Sequence, residues 1–165
     1  MSFYTGPSSP SEQGLQDPKR VEFAISCMRQ GRNAQAFLIL SEPWSEKDPA
    51  ARFALGLLRL RSGDDQEAIR CFEQSLNLVR MISAPKQGMS ESSETYIRLA
   101  AGQVSESVYL TPMDPDMFTY FPEAAMHTVI LALIHVYRKK GMDEQARKLI
   151  SGLTGPAFEK YKKDI

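Results

Sequence analysis

One short sequence motif (Gly, any residue, Asn or Asp, any two residues, Ala) occurs three times in the chain. The copies read GRNAQA from Gly31, GDDQEA from Gly63 and GMDEQA from Gly141. Each copy lies between two stretches with apolar residues at helical spacing, so each predicts a helical hairpin. Gly suits the left-handed position just after a helix end. The first two glycines are 32 residues apart (63 − 31) and the third follows 78 later (141 − 63), which predicts an insertion between the second and third hairpins.

The boundaries of the hairpins follow from residues that start helices. Asp17-Pro18, Asp48-Pro49 and Phe121-Pro122 predict the starts of the first helices, because Asp can cap a helix and Pro is tolerated at its first position. The Asn or Asp after each Gly is expected to cap the second helix, and Asp64 with Glu67 has capping-box spacing. The chain is then a disordered tail at 1–16 and a single domain at 17–165, with hairpins at 17–48, 49–83 and 122–154, an insertion at 84–121 and a C-terminal capping helix at 155–165.

The second hairpin carries a longer pattern, with Leu55, Gly56, Gly63, Ala68 and Phe72 in a fixed order. This order resembles the tetratricopeptide repeat, W-x2-L-G-x2-Y followed by A-x3-F and P, although Arg52 and Arg59 stand where Trp and Tyr are usual. The matching residues of the other hairpins are Phe23, Ala24, Gly31, Ala36 and Leu40 in the first, and Leu133, Tyr137, Gly141, Ala146 and Ile150 in the third. The second helix of the first hairpin is expected to end near Ser41-Glu42-Pro43. The resemblance implies an all-α solenoid of helical hairpins, and the alternative is a helical bundle with unrelated turns.

The resemblance also implies a binding groove, because the first helices of this family line a concave face that holds peptides or helices. By the family's spacing, the predicted groove here consists of Val21, Ile25, Met28, Arg29, Phe53, Leu57, Leu60, Arg61, Leu131, His135, Arg138 and Lys139. Its centre is apolar, and a base recurs at one matching position near the end of each first helix, as Arg29, Arg61 and Lys139.

The inner positions of the predicted groove indicate which ligands it takes. Members of the family that grip a terminal carboxylate place Asn and Lys there, because a buried anion needs charge-assisted donors. This chain has Ile25, Leu57 and His135 instead, so an amphipathic helix or an extended hydrophobic segment suits the groove better. An open apolar trough would promote aggregation, so we expect it to be covered by a partner, by a second copy of the chain or by the insertion.

The insertion is too rich in Pro and Gly for one continuous helix. The stretches at 94–100 and 104–110 flank Gly102 and are rich in β-branched and aromatic residues, which favours a small β-hairpin, although a helix fits the first stretch almost as well. The turn-rich run at 112–121 is either a loop that covers the flank of the domain or an arm that contacts a partner. The candidate contact residues of the insertion are Tyr96, Tyr109, Met117, Phe118 and Tyr120.

Composition excludes several classes of function. Lys plus Arg and Asp plus Glu are balanced at 20 each, which argues against a nucleic-acid-binding protein. No apolar run approaches the roughly 20 residues that span a bilayer, and the N-terminus does not resemble a secretion signal. We therefore expect a cytoplasmic protein, in which Cys27 and Cys71 are buried, reduced thiols rather than a disulfide.

Catalytic and metal-binding motifs are absent from the sequence, including the phosphate-binding loop, the HExxH helix and the nucleophile elbow. His127 and His135 lie on one predicted helix about 12 Å apart, too far to share a metal ion without a third element. The sequence therefore predicts no cofactor, no metal and no enzyme. It predicts a non-catalytic protein-interaction module, of adaptor or chaperone type; the alternative is a structural subunit or homodimer that buries the groove or the insertion in a larger assembly.

Overall fold

The computed structural model of the protein describes residues 17–82, Thr95 and residues 109–153. Regular structure in these ranges is entirely helical and contains no strand, which confirms the all-α prediction for this part of the chain. The helices are α1 (Asp17–Arg29), α2 (Asn33–Leu40), a 3-10 helix (Pro43–Lys47), α3 (Pro49–Arg61), α4 (Asp65–Ile82), α5 (Pro115–Tyr120), α6 (Pro122–Lys139) and α7 (Asp143–Ser151).

Three predictions fall wholly or mostly outside the described residues. They are the disordered tail at 1–16, the capping helix at 155–165 and the β-hairpin at 94–110. In the hairpin range Thr95 and Tyr109 are described as helical and Leu110 as a turn, so the described positions show no hairpin.

The three copies of the motif form the same turn. Gly31, Gly63 and Gly141 adopt φ of +75°, +83° and +71°, a left-handed conformation that glycine reaches without a steric penalty. In each turn the residue after the glycine donates its N–H to a carbonyl of the preceding helix five residues back: Arg32 to Cys27 at 2.8 Å, Asp64 to Arg59 at 2.9 Å and Met142 to Tyr137 at 2.7 Å. This is the Schellman pattern, and it ends one helix and redirects the chain into the next.

The helix starts are only partly as predicted. Pro49 and Pro122 are the first residues of α3 and α6, and the Asp48 carboxylate accepts a hydrogen bond from the Ala51 N–H at 2.9 Å. Asp64 caps α4 by accepting from the Glu67 N–H at 3.3 Å.

The capping prediction is wrong for the first and third hairpins. Their N-cap residues are Arg32 and Met142, and neither makes a side-chain capping bond. The Schellman turn leaves only one residue between the glycine and the next helix. That residue becomes the N-cap, so Asn33 and Asp143 fall inside the helices as their first residues.

Each turn joins two helices that pack against each other, giving the pairs α1 with α2, α3 with α4, and α6 with α7. Successive pairs meet where α2 packs on α3 and α4 packs on α6. The approach of α3 to α4 depends on Gly56, because a Cβ atom there would lie 2.6 Å from Cε1 of Phe72. The Phe72 ring in turn packs on Phe53, with 5.4 Å between ring centroids.

Helix α3 lies at the centre of the core. Every residue from Pro49 to Leu58 is buried, and α3 contacts α1, α2, the 3-10 helix, α4 and α5. Arg52 is the charged residue of this stretch, with 8% of its surface exposed. Its guanidinium donates to the Ser45 carbonyl at 3.1 Å and to the Ser45 hydroxyl at 2.6 Å, so it ties the 3-10 helix to α3. A buried arginine of this kind is stable because its donors are satisfied.

Candidate protein-docking face

The described part of the insertion folds back onto the first helices of all three hairpins. Helix α5 packs most extensively on α6 and also contacts α1 and α3. It begins at Pro115 with the Met117 N–H bonded to the Asp114 carbonyl at 3.0 Å, and it ends just before Pro122 opens α6. We call the surface of α1, α3 and α6 that lies against α5 the covered face.

The short helix and its approach are amphipathic. Met113 and Phe118 are 7% and 3% exposed, and Pro112 and Pro115 are buried. Asp114, Asp116, Thr119 and Tyr120 are exposed. The segment is therefore held mainly by burial of apolar side chains, with its acids and hydroxyls in water.

Two residues of the predicted groove contact the insertion directly. The Arg29 guanidinium lies 3.1 Å from the Asp114 carboxylate, and the rings of His135 and Tyr109 have centroids 5.9 Å apart. Both partners of the ion pair are about half exposed, so the pair contributes only about 0–1 kcal/mol. These contacts orient the segment more than they stabilise it.

The apolar residues of the predicted groove lie in the core. Val21, Ile25, Met28, Phe53 and Leu57 are at most 4% exposed. The expected open trough is therefore not present in this structure, because these five side chains are part of the buried core. Among the three coverings expected from the sequence, the described residues show the insertion against α1, α3 and α6.

The remaining groove residues are accessible to different degrees. Leu60, Leu131 and His135 are half-buried, and the four bases are exposed: Arg29, Arg61, Arg138 and Lys139. Leu131 and His135 are one helical turn apart on α6, so the two half-buried side chains project from one side of that helix.

In two of the three hairpins, the base near the end of the first helix bonds to the preceding hairpin. Arg61, at the end of α3, donates to the Asn33 side chain at 3.4 Å, and Lys139, at the end of α6, lies 2.8 Å from the Asp65 carboxylate. Asn33 and Asp65 are the Asx residues of the motif, each in the hairpin that precedes the one carrying its base. The base and the Asx residue therefore link successive hairpins, whereas Arg29 of the first hairpin bonds Asp114 of the insertion instead.

The sequence interpretation missed this bond between neighbouring hairpins, although the sequence contained a signal for it. The base stands two residues before each glycine and the Asx residue two after it, in all three copies. A base and an Asx side chain that recur at the same two positions in every hairpin are candidates for a hydrogen bond between neighbouring repeats.

Two titratable groups of α6 lie inside the domain. His127 is 6% exposed, and burial lowers its pKa to about 4, against an opposing effect of Glu123. Burial raises the pKa of Tyr137 far above its ordinary value, helped by the hydrogen bond from its hydroxyl to the Glu73 carboxylate at 2.6 Å. Near neutral pH, His127 is therefore uncharged and Tyr137 is a donor that links α6 to α4.

Cys27 and Cys71 are buried and free, as the sequence predicts. Burial raises the pKa of the Cys71 thiol, more than the nearby Arg52 lowers it. Within residues 17–82 and 109–153, no group of three or more His, Cys, Asp or Glu side chains is placed to hold a metal ion. In the same ranges no helix is long and apolar enough to cross a membrane.

The candidate contact residues of the insertion divide between the two sides of α5. Phe118 is buried against the domain and Met117 is half-buried, whereas Tyr120 is 69% exposed. Tyr109 contacts His135, and Tyr96 lies outside the described residues. The side that faces away from the domain therefore still presents an aromatic ring to solvent.

Comparison with known proteins adds no assignment: no protein-family model, no curated protein and no solved structure matches the chain.

Proposed function

We propose that the chain is a non-catalytic protein-interaction module, of adaptor or chaperone type, built as a solenoid similar to tetratricopeptide repeats. Its covered face binds a helical or extended hydrophobic segment of another protein. The observation that carries the proposal is α5, a short amphipathic helix of the chain itself that lies on α1, α3 and α6. A surface that holds one such segment has the shape and the chemistry to hold another.

The order of helix contacts supports the solenoid. Each hairpin packs on its neighbour in the sequence, and the same base-to-Asx bond recurs at both junctions, as Arg61 with Asn33 and Lys139 with Asp65. Repeat proteins of this kind stack neighbouring units and present one face for binding. The two free, buried thiols accord with a reducing compartment, and a cytoplasmic location is part of the proposal.

Binding at the covered face requires α5 to leave it. Isolated helices shorter than about 12–15 residues are marginal in water, so α5 owes its structure to its contacts with the domain. Its departure breaks the Arg29–Asp114 pair and exposes the sites of Met113 and Phe118, without breaking any of the three Gly-centred turns. Once Tyr109 has left His135, the half-buried Leu131 and His135, one turn apart on α6, are available for apolar contacts with an incoming segment.

A structural subunit or homodimer is the second candidate. Phe23 and Leu38, on the two helices of the first hairpin, are 49% and 70% exposed, and a second copy of the chain could cover them. Size-exclusion chromatography with light scattering distinguishes the two candidates. A monomer favours the interaction module. A dimer that Leu38→Glu dissociates favours the assembly.

A selection experiment tests the proposed function. A displayed library of random peptides is selected against the full chain carrying Met113→Asp and Phe118→Asp, which we call the released variant, and against the wild type. We expect peptides enriched on the released variant, with binding lost when Leu131→Glu and His135→Glu are added. Because both of these side chains are half-buried rather than buried, helicity should be retained. Enrichment of no peptide on a folded released variant, or binding that ignores the two substitutions, would refute the proposed function.

A further inference from the structure

We propose that the partner of the covered face is a short acidic segment carrying Met and Phe, and that α5 is an intramolecular competitor that occupies the face in its place. This proposal rests on the proposed function and deepens it by naming the chemistry of the partner. Three properties of the segment that now covers the face carry it: which side chains it buries, which charge it carries and how it is attached.

The buried side chains of the segment define the apolar part of the recognition. Met113 precedes α5 and Phe118 lies within it; both are almost fully buried, and Met117 is half-buried against the core. The contacts of α5 therefore provide sites for an unbranched thioether and for an aromatic ring. Met adapts to irregular surfaces and Phe supplies a large apolar area, so a partner segment with the same pair fills the same sites.

Charge complementarity defines the polar part. Each first helix ends in bases, of which Arg59, Arg61 and Lys139 bond to Asp64, Asn33 and Asp65 of the hairpins themselves. The segment from Tyr109 to Phe121 contains two acids, Asp114 and Asp116, and no Lys or Arg. Arg29 contacts the first of these acids at 3.1 Å, and it is the matched base that is not used between hairpins. An acidic partner is therefore favoured over a neutral or a basic one.

The attachment of the segment explains why the face is covered without a partner. A single residue, Phe121, separates α5 from α6, so α5 is tethered directly beside its own site. A short tether gives an effective concentration of about a millimolar or more. A free segment of equal intrinsic affinity therefore binds only weakly until α5 is weakened, and the same tether keeps apolar partners of low affinity away from the face.

The test uses a labelled synthetic peptide with the sequence of residues 109–121 and the full-length protein. Fluorescence anisotropy measures its binding to the wild type and to the released variant. We expect the released variant to bind the peptide at least about tenfold more tightly, because its own α5 no longer competes. A matched peptide with Met113→Asp and Phe118→Asp should not bind either protein.

A charge swap tests the acidic character of the partner. The peptide with Asp114→Lys should bind the released variant about threefold more weakly, as expected for a half-exposed ion pair, and Arg29→Asp in the protein should restore that loss. If the Asp114→Lys peptide binds as well as the original, or if Arg29→Asp restores nothing, the acidic partner is contradicted.

The remaining outcomes are also decisive. Equal binding to the wild type and the released variant, or no binding to a released variant that keeps its helicity, contradicts α5 as a competitor. A released variant that dimerises instead of binding the peptide replaces the proposed partner by a second copy of the chain. If Met113→Asp with Phe118→Asp lowers helicity, Asp114→Lys in the protein gives the same comparison, with an expected gain of about threefold.

Failure of this proposal can be told apart from failure of the proposed function. If the library selection yields peptides that bind through Leu131 and His135 while the α5 peptide does not bind, the function stands and the partner chemistry is wrong. If neither the library nor the α5 peptide yields a ligand for a folded released variant, the proposed function fails as well.

Discussion

The hairpins and α5 both bury apolar side chains, but the two regions are held in different ways. The first two hairpins pack around α3, whose residues are buried from Pro49 to Leu58, and the third hairpin packs on α4; within each hairpin the two helices are joined by a turn with backbone hydrogen bonds. The segment from Tyr109 to Tyr120 contains the six-residue α5 and contacts the hairpins through the buried Met113 and Phe118, through a half-exposed ion pair of Asp114 and through a ring contact of Tyr109. From this difference we expect that stability resides mainly in the hairpins and that α5 opens separately from them.

The largest expected effect comes from truncating one phenylalanine in each region. Phe72 is fully buried and packs on Phe53 and Gly56, so Phe72→Ala should lower the free energy of unfolding by about 3–5 kcal/mol. Phe118→Ala should cost clearly less, because α5 can detach instead of leaving a cavity in a rigid core. Urea unfolding followed by circular dichroism measures both. Equal losses would mean that α5 is an integral part of the core.

The free energy of unfolding should depend on pH through His127. Burial keeps His127 neutral in the folded protein down to a pKa of about 4, whereas a histidine in the unfolded chain binds a proton near pH 6.5. The unfolded state therefore holds more protons between these values, and the free energy of unfolding should fall by up to about 3 kcal/mol as the pH is lowered from 6.5 to 4. Urea midpoints across this range provide the measurement.

The variant His127→Gln serves as the control for the pH effect. It removes the titrating group, so the part of the pH dependence due to His127 should disappear. A slope identical to that of the wild type would show that His127 is not the group responsible.

A glycine pair tests the repeated turn. Gly63 has a φ of +83°, so Gly63→Ala should destabilise the protein by about 1–2 kcal/mol. Gly152 has a φ of −78°, and an added Cβ there meets its nearest atom, the Leu149 carbonyl, at an ordinary 3.5 Å. Gly152→Ala should therefore be neutral or stabilising by up to about 1 kcal/mol. Thermal unfolding distinguishes the two, and equal effects would contradict the role of the turn.

The smallest expected effects separate two kinds of ion pair. Lys139 with Asp65 joins two hairpins, and only 13% of the Asp65 side chain is exposed, so a double-mutant cycle with Ala should give a coupling of about 0.5–1 kcal/mol in unfolding. Arg29 with Asp114 is half exposed on both sides and should give about 0–0.5 kcal/mol. Its loss should instead accelerate the opening of α5. A larger coupling for the second pair would reverse the comparison.

The hairpins could be predicted from the sequence because their determinants are local and repeated. The three glycines, the Pro at the start of α3 and α6, and the apolar spacing around them specify turns and helices without knowledge of distant contacts. Three copies of one motif with the same internal spacing turn three weak signals into one strong one. The truncated second helix of the first hairpin was foreseen for the same reason, since α2 ends at Leu40 before Pro43.

The role of α5 could not be predicted in the same way. Its six residues are too few for a periodic signal, and the run from Pro112 to Phe121 favours turns by composition. The burial of Met113 and Phe118 depends on helices that lie far away in the sequence. Sequence therefore gave two interpretations of this run, a covering loop or a partner-contacting arm. The structure shows a covering segment that is helical.

The site chemistry was predictable only in part. Arg52 stands where the tetratricopeptide pattern has Trp, and nothing local in the sequence indicates that Arg52 is buried with Ser45 accepting from its guanidinium. The sequence predicts Arg61 and Lys139 as groove residues, because a sequence pattern does not say whether a charge faces a ligand or the neighbouring hairpin. Arg29 has the same position relative to its glycine, but it bonds Asp114 instead, because no described hairpin precedes the first one.

Native-state hydrogen exchange tests the central claim, that α5 opens separately from the hairpins. The amides of α5, including that of Met117, are compared with those of α3 and α4 in the wild type and in Asp114→Lys. We expect α5 to exchange through an opening of lower free energy than α3 and α4, and Asp114→Lys to accelerate α5 alone. If α5 exchanges only with the same opening free energy as α3 and α4, it is part of one cooperative core and the account of a displaceable cover is contradicted.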